Sequence, residues 1–186
     1  GILIVNIGAD TTEISILSFG GIVVTKLLPY GGNYFDSQII SYMRKQYNFI
    51  IGRRTAEAVK KALVSAQPSD EQIKITGRDI VKGLPGEVWM SSNEIYPLVS
   101  DMFHIISVAV QSVVERMPPE IAQEITYNGI YLTGASSWIK GLDIFITDET
   151  DIKANTTQDA QISVAKGLGF LAERPKLAAV YASQLK

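Results

Sequence analysis

The amino-acid sequence predicts an α/β or α+β fold with an inserted subdomain, and the order of its elements carries this prediction. The chain opens with three short segments separated by turn residues, the pattern of an antiparallel meander. Helical periodicity begins at Asn33, and two more short strands precede a long amphipathic helix, a strand and a last helix. We therefore assign residues 1–30 and 95–186 to a core subdomain and residues 31–94 to an insert.

Composition and charge are those of an ordinary folded protein. Of the 186 residues, 46% are hydrophobic and 19% are charged, which excludes an intrinsically disordered chain. The 17 basic and 19 acidic side chains give a net charge of −2, so we expect no nucleic-acid partner. The absence of cysteine excludes disulfides and cysteine-based zinc sites, and the single histidine, His104, excludes a multi-histidine metal site.

The first strand predicts that the chain is part of a longer protein. The apolar run Ile2–Ile7 is typical of a buried central strand, and natural chains seldom begin inside a core strand without a methionine. No signal peptide precedes it and the apolar runs are short, so we expect a soluble, cytoplasmic protein. The turn formers of residues 8–12 and Phe19–Gly21 separate this strand from two more, Glu13–Ser18 and Ile22–Leu28.

The predicted insert contains two helices and two strands. The first helix follows Asn33, and Thr55 is the expected N-cap of the second. Short strands at Ile73–Thr76 and Glu87–Ser91 flank a predicted loop of residues 77–86.

A long buried helix dominates the second half. Ser91 and Glu94 form a capping box at its start, and its apolar stripe runs to Met117 with His104 expected in the core. A short helix, a strand and a last helix follow, at Glu120–Thr126, Gly129–Thr133 and Ala160–Ala172. Within the last helix, the glycines of a G-x-G-x-x-A pattern at positions 167 and 169 indicate helix packing. The C-terminal segment Arg174–Lys186 is either a docked helix or a flexible tail.

The strongest candidate site is the turn after the first strand, formed by Gly8, Ala9, Asp10, Thr11 and Thr12. A turn of small residues between strands exposes backbone N–H groups that can hold a phosphate, and the two threonine hydroxyls add donors. The alternative is an ordinary hairpin, which the negative charge of Asp10 favours.

A second candidate is the turn Gly134, Ala135, Ser136 and Ser137, which follows a predicted strand. Small residues there let a flat ligand approach the backbone, whereas the alternative is a serine-capped turn. A third candidate is the pair Glu57 and Lys60, which share a helix face and can hold a ribose or the edge of a base; surface helices also carry such pairs without a ligand.

Several segments occur in the order found in one known family. They are Asn6–Glu13 (family D-I-G-G-G-T-T-E), Phe19–Val23 (L-G-G-I-V), Ile39–Glu57 (I-I-x-Y-x-R-x-x-Y-N-x-x-I-G-x-R-T-A-E), Gly77–Pro85 (G-R-D-L-V-x-G-L-P), Pro118–Ala122 (P-P-E-L-A) and Gly129–Ser137 (G-I-x-L-T-G-G-G-A). Residues 1 to about 172 thereby resemble the C-terminal half of MreB and Mbl, the bacterial actins of rod-shaped cells.

The resemblance implies one lobe of the actin-like ATPase fold, which is ribonuclease H-like, with an inserted α+β subdomain. It implies ATP or ADP with Mg²⁺, self-association into filaments, other cell-shape proteins as partners, and membrane contact only through a first lobe missing here. By the same match, residues 8–12 hold phosphates, Glu57 and Lys60 lie by the ribose and adenine, and residues 134–137 line the adenosine. Asn6 stands where the family has an aspartate near the metal.

Three departures from the family pattern predict weakened nucleotide turnover. Asn6 removes a negative charge, Ala9 and Asp10 replace glycines, and Ala135–Ser137 replace smaller residues. If the first turn requires positive φ, Ala9 costs about 1–2 kcal/mol. With the first lobe absent, we expect no ATP hydrolysis by this chain alone.

Three functions remain open at this point. The favoured one is a filament subunit that determines cell shape, and the second is a degenerate actin-like scaffold that binds partners without ATP turnover. The third, a sugar kinase or heat-shock ATPase, is disfavoured by the matches at Ile39–Glu57 and Gly77–Pro85.

Overall fold

The structure is a computed structural model and describes residues 1–183; the end of the predicted core segment, residues 184–186, lies outside it. Its elements, in chain order, are β1 (Ile2–Ile7), β2 (Thr12–Ser18), β3 (Gly21–Leu28), α1 (Gly32–Tyr47), β4 (Phe49–Ile50), α2 (Arg53–Leu63), β5 (Gln72–Asp79), β6 (Pro85–Ser91), α3 (Ser92–Val114), α4 (Pro119–Asn128), β7 (Ile130–Thr133), α5 (Leu142–Thr150), β8 (Ala154–Thr156), α6 (Ser163–Ala172) and α7 (Pro175–Ser183). Single 3₁₀ turns lie at Ala135–Trp138 and Ala160–Ile162.

A five-stranded mixed sheet, in the order β3-β2-β1-β7-β8, organises the core. The predicted meander is confirmed, because β1, β2 and β3 pair antiparallel. Strand β7 then adds in parallel on the other side of β1, and β8 adds in parallel to β7. Alternate residues of β1 are buried (Leu3, Val5 and Ile7), so one face of this central strand packs on the core.

Helix α3 is the central helix of the core. Its capping box is present as predicted, since Glu94 accepts hydrogen bonds from both the backbone N–H and the hydroxyl of Ser91. By length and composition alone it could cross a membrane, but its apolar stripe, including Val99, Phe103 and Val110, is buried inside the protein. It is therefore a core helix of this fold.

A second, antiparallel sheet has the order β4-β5-β6 and carries α1 and α2. Its two long strands extend further than predicted, leaving a loop of residues 80–84 only. Gly77 and Gly86 are paired across the strands, and a Cβ on Gly77 would lie 2.5 Å from the Phe49 ring. These glycines therefore make room for an aromatic ring and are not turn residues, which is why the predicted loop was too long.

Three further expectations are corrected. Helix α2 begins at Arg53 with Gly52 as N-cap, so Thr55 lies inside its first turn. His104 is half exposed, with its Nδ1 3.5 Å from Glu149 Oε2, because it lies one position beyond the buried stripe. The glycines at 167 and 169 pack against nothing within the described chain, since a Cβ at either meets no atom within 4 Å.

Candidate functional site

A cleft of about 630 Å³ opens between α2 and the 3₁₀ turn that follows β7. Four predicted site residues line it, namely Glu57, Lys60, Ala135 and Ser136. The remaining lining residues are Lys61, Ala62, Val64, Glu71, Trp138, Ile139, Lys140 and Gln161. The structure therefore brings the second and third candidate motifs together, although 74 positions or more separate them in sequence.

The first candidate turn lies against the N-terminus of α1. The N–H of Gly32 donates to the carbonyl oxygen of Gly8 (2.9 Å), and the N–H of Asn33 donates to that of Ala9 (2.7 Å). A Cβ on Gly31 would lie 2.6 Å from the Ala9 carbonyl, so only glycine permits this approach. The turn is thus fixed to the helix by backbone contacts.

Gly32 is the point at which all three motifs meet. A Cβ there would lie 2.8 Å from the hydroxyl of Ser136 and 3.4 Å from the ammonium group of Lys60. The same hydroxyl donates to the carbonyl oxygen of Gly8, over 3.3 Å. The turn after β1 therefore borders the cleft through this serine.

The tip of the turn is exposed and has free donors. The Gly8 N–H donates to the carbonyl oxygen of Thr11 (2.9 Å) within the turn. The N–H groups of Ala9, Asp10 and Thr11 have no acceptor within residues 1–183. Neither Ala9 nor Asp10 has a positive φ, so the strain considered for this turn is absent. Three adjacent N–H groups without an acceptor, in a turn, are donors that an anion can use.

The carboxylate of Asp10 lies on the same turn. Its Oδ1 accepts a hydrogen bond from the Asn33 amide (2.7 Å) at the start of α1. This contact orients the negative charge, which is less costly at a helix N-terminus than elsewhere.

Lys60 is largely buried and has two partners. Its Nζ lies 2.9 Å from Asp36 Oδ1 and 3.1 Å from the carbonyl oxygen of Gly32, and the two charged side chains are only 16% and 13% exposed. The ammonium group therefore reaches the cleft as part of an ion pair between α1 and α2.

Glu57 presents a carboxylate to the cleft. Its side chain is 49% exposed and lies 2.7 Å from Lys61, whose hydrogen bond and charge lower the pKa of Glu57. The group is therefore ionised at neutral pH and can accept hydrogen bonds from hydroxyl groups.

Two predicted site hydroxyls are used inside the fold. Thr12 is fully buried and donates to the carbonyl oxygen of Tyr30 (2.9 Å). Ser137 is 1% exposed and donates to the carbonyl oxygen of Gly134 (2.7 Å). Both residues shape the two turns, and neither hydroxyl faces the cleft.

Asn6 and Gly134 lie side by side where β1 and β7 end. Gly134 has a φ of +85°, and a Cβ on it would lie 2.3 Å from Ile7 O and 2.8 Å from Asn6 Oδ1. Within the described residues, no three His, Asp or Glu side chains are grouped as a metal site. The assignment of Asn6 to a metal stays a prediction, and a neutral amide supplies no charge for Mg²⁺.

Sequence reasoning assigned no role to the residues of the far wall of the cleft. Trp138 is 54% exposed, and its indole N–H donates to the Thr157 carbonyl oxygen (3.3 Å). Lys140 pairs with Glu71 over 2.7 Å. The tryptophan next to a turn of small residues could have been recognised from the sequence. The Lys140–Glu71 pair could not, because it joins elements far apart in sequence.

Comparison with known proteins identifies the family. The family model described as MreB/Mbl protein matches residues 1–179. The chain is 36% identical over 171 residues to the cell shape-determining protein MreB of Escherichia coli, covering 91% of this chain and 49% of that protein. It is 33% identical over 173 residues to the cell shape-determining protein Mbl of Bacillus subtilis, covering 92% and 52%. The chain thus spans about half the length of these relatives.

Solved structures agree with the sequence match. MreB 5 of Spiroplasma citri bound to AMPPNP is 36% identical with a TM-score of 0.86, covering 95% of this chain and 54% of that one. The same protein bound to ADP gives a TM-score of 0.88 at equal coverage. The MamK double helical filament, at 21% identity and a TM-score of 0.78 over 93% and 54%, shares the fold. The predicted fold class is confirmed: this chain has the actin-like ATPase fold and belongs to the MreB/Mbl family of cell shape-determining bacterial actins.

Proposed function

We propose that this chain is the second lobe of an MreB-like filament subunit and that its cleft binds ATP or ADP. The observation that carries the proposal is the meeting of the turn after β1, Lys60 and Ser136 around Gly32. This contact supports the proposal, because a turn with unpaired N–H groups adjoins one end of a cleft large enough for a nucleoside.

The cleft and the turn that borders it together offer a contact for each part of an adenine nucleotide. The free N–H groups of Ala9, Asp10 and Thr11 suit phosphate oxygens, and the carboxylate of Glu57 can accept hydrogen bonds from ribose hydroxyls. Ala135 leaves space beside the exposed Trp138 for the flat base. Crystal structures of Spiroplasma citri MreB 5 bound to AMPPNP and to ADP support the proposal that this chain binds a nucleotide.

Hydrolysis needs more than this chain provides. Bound Mg²⁺–ATP supplies the phosphoryl group and most of the metal ligands, because Mg²⁺ is held largely by phosphates and water. At the position that the resemblance assigns to the metal, Asn6 contributes a neutral amide beside Gly134. We therefore propose that this lobe binds and orients the nucleotide without hydrolysing it alone.

The proposed biological role is filament assembly in cell-shape determination. The names of the E. coli and B. subtilis relatives support the cell-shape role, and the MamK filament shows that a protein of this fold polymerises. In this proposal the full-length protein is cytoplasmic, works with other cell-shape proteins and contacts the membrane through its first lobe. Residues 31–94 form its outer subdomain.

The second candidate function is a scaffold that no longer binds nucleotide. The carboxylate of Asp10, on the turn that would hold phosphates, favours this alternative, because it repels an anion. Asn6 also favours the scaffold, because its neutral amide lacks the negative charge that could bind the metal.

Calorimetric titration with Mg²⁺–ATP separates these functions. The chain is compared with a triple variant, Asn6→Asp, Ala9→Gly and Asp10→Gly. Micromolar binding by the unchanged chain supports the filament subunit, and binding by the triple variant alone supports the scaffold. If neither binds, the cleft has been assigned wrongly.

Fluorescence of Trp138 provides an independent measurement of cleft occupancy. Replacing Trp89 by phenylalanine leaves Trp138 as the single tryptophan, because the sequence has two. We expect saturable quenching by ADP that weakens in Glu57→Ala. The matched control is Glu115→Ala, an exposed carboxylate at the end of α3 that lies outside the cleft.

A further inference from the structure

Strand β5 has an open edge beside α2. On one side β5 pairs with β6 from Gln72 to Arg78. On the other side β4 reaches only Arg78 and Asp79, because the chain leaves the sheet after Ile50 and enters α2. Within residues 1–183, residues 72–76 of β5 therefore have no neighbouring strand on this side.

The register shows which backbone groups face the open edge. Ser92 N–H donates to Glu71 O (2.9 Å) and Asp79 N–H donates to Leu84 O (3.0 Å), so odd-numbered residues bond towards β6. Because these bonds alternate along an antiparallel strand, the N–H and C=O groups of Gln72, Lys74 and Thr76 point the opposite way. In the part of the chain that the structure describes, they form a row of donors and acceptors without partners.

A groove of about 320 Å³ runs along this edge. One wall is β5 from Ile73 to Thr76, and the other is the face of α2 formed by Arg54, Thr55, Ala58 and Val59. Four strand residues span about 13 Å, enough for a short extended peptide. The groove is separate from the cleft, since the two share no lining residue.

The charge of the groove is positive. Arg54 is exposed and, in the part of the chain that the structure describes, no carboxylate lies within 4 Å of its guanidinium. The neighbouring Arg53 is exposed as well, and the charge of Lys74 is balanced by an ion pair with Glu87. An unpaired arginine fork at the rim favours an acidic occupant.

We propose that an extended acidic segment of a partner protein binds here as an added strand on β5. Its backbone completes the hydrogen bonds of Gln72, Lys74 and Thr76, and its carboxylates meet Arg54. A second copy of this chain fits poorly, because its acidic run from Asp148 to Asp151 lies at the end of helix α5. We therefore assign the added strand to a different protein, and the experiments below distinguish it from a second copy of this chain.

The direct test uses a fluorescent, end-blocked octapeptide of alternating valine and glutamate. We expect saturable binding by fluorescence anisotropy, and binding at least about tenfold weaker when lysine replaces every glutamate. Two isomers methylated on alternate backbone nitrogens provide the critical comparison. Only one set of amides can face β5, so one isomer should lose binding and the other should keep it.

Protein variants test the two walls of the groove. Arg54→Glu should weaken binding at least about tenfold, whereas Arg44→Glu, an exposed arginine in the last turn of α1, should leave it unchanged. Thr76→Pro removes one edge N–H and should abolish binding, while Thr76→Val should retain it. Circular dichroism verifies that each variant is folded, and the methylated peptides decide the question if the proline variant unfolds.

Three results would overturn the proposal. They are absence of octapeptide binding, equal binding of both methylated isomers, and a concentration-dependent dimer that Thr76→Pro abolishes. The last result would make a second copy the occupant. None of these outcomes depends on nucleotide binding, so this inference and the proposed function fail independently.

Discussion

The ammonium group of Lys60 lies 2.9 Å from the carboxylate of Asp36, and this ion pair joins α2 to α1 at the inner end of the cleft. Both side chains are largely removed from water, so each charge depends on the other for its solvation. A second lysine one position along, Lys61, makes a comparable but exposed pair with Glu57. The first pair is buried and joins two helices, whereas the second is exposed and lies within α2.

Removing one partner of the buried pair should destabilise the protein markedly. Asp36→Ala leaves the Lys60 charge unpaired, and we expect a loss of about 3 kcal/mol in the free energy of unfolding. The control Lys61→Ala should show no measurable change, because exposed pairs are screened. Urea unfolding of both variants measures the difference, and equal losses would contradict the role given to burial.

Substitution of Gly134 should be far more damaging than that of another glycine with positive φ. Gly134→Ala combines an unfavourable φ with a Cβ 2.3 Å from Ile7 O, so we expect at least about 3 kcal/mol of destabilisation or no folding. Gly83→Ala has a φ of +71° and open space, so it should cost only about 1 kcal/mol. Thermal unfolding compares the two, and similar losses would show that the contact with Ile7 relaxes.

The backbone conformation of the turn after β1 predicts whether Ala9→Gly raises or lowers the stability of the protein. Because φ of Ala9 is not positive, Ala9→Gly relieves no strain and makes the unfolded chain more flexible. We expect a small destabilisation, about 0.5–1 kcal/mol, by urea unfolding. A more stable variant would mean that the alanine is strained in solution.

Tyr47 should make stability depend on alkaline pH. Burial and its hydrogen bond to Glu94 raise the pKa of Tyr47 from 10.0 to about 12. The unfolded chain therefore loses this proton first, so the stabilisation is complete below pH 10 and is lost as pH rises towards about 12.

Stability measured between pH 9 and 12 tests this dependence. The slope attributable to Tyr47, at most about 1.4 kcal/mol per pH unit, should disappear in Tyr47→Phe. The exposed Tyr127→Phe should keep the slope of the unchanged chain. An identical pH profile for all three proteins would rule out a raised pKa of Tyr47.

Elements encoded by local patterns could be predicted from the sequence, and tertiary details could not. The meander and the capping box of α3 rest on alternation and spacing within a few residues. Gly77, in contrast, has the appearance of a turn signal until Phe49 is placed against it. His104 was misplaced because neighbouring positions of a helix differ by about 100° in direction, so a stripe does not include every residue along it.

The candidate site likewise has features that could be predicted from the sequence and features that could not. Helical spacing indicated Glu57 and Lys60, and a turn of small residues after a predicted strand indicated Ser136; the fold brings all three to one cleft. The sequence did not reveal that the hydroxyls of Thr12 and Ser137 are used by the backbone, because their acceptors are set by the packed turns. Hydrogen-bond partners of short polar side chains are a property of the assembled fold.

The parallel pairing of β1 with β7 has a consequence for how the protein is made. Leu3 pairs with Ile130, more than a hundred residues further along, so the central strand is synthesised long before its second neighbour. While the ribosome extends the chain through the second sheet and α3, one edge of β1 has no partner strand. Other nascent chains can bind to this edge. Such distant pairing also slows folding, because a large loop must close before the contacts form. The rate-limiting step of core folding is therefore expected to follow the emergence of β7 from the ribosome.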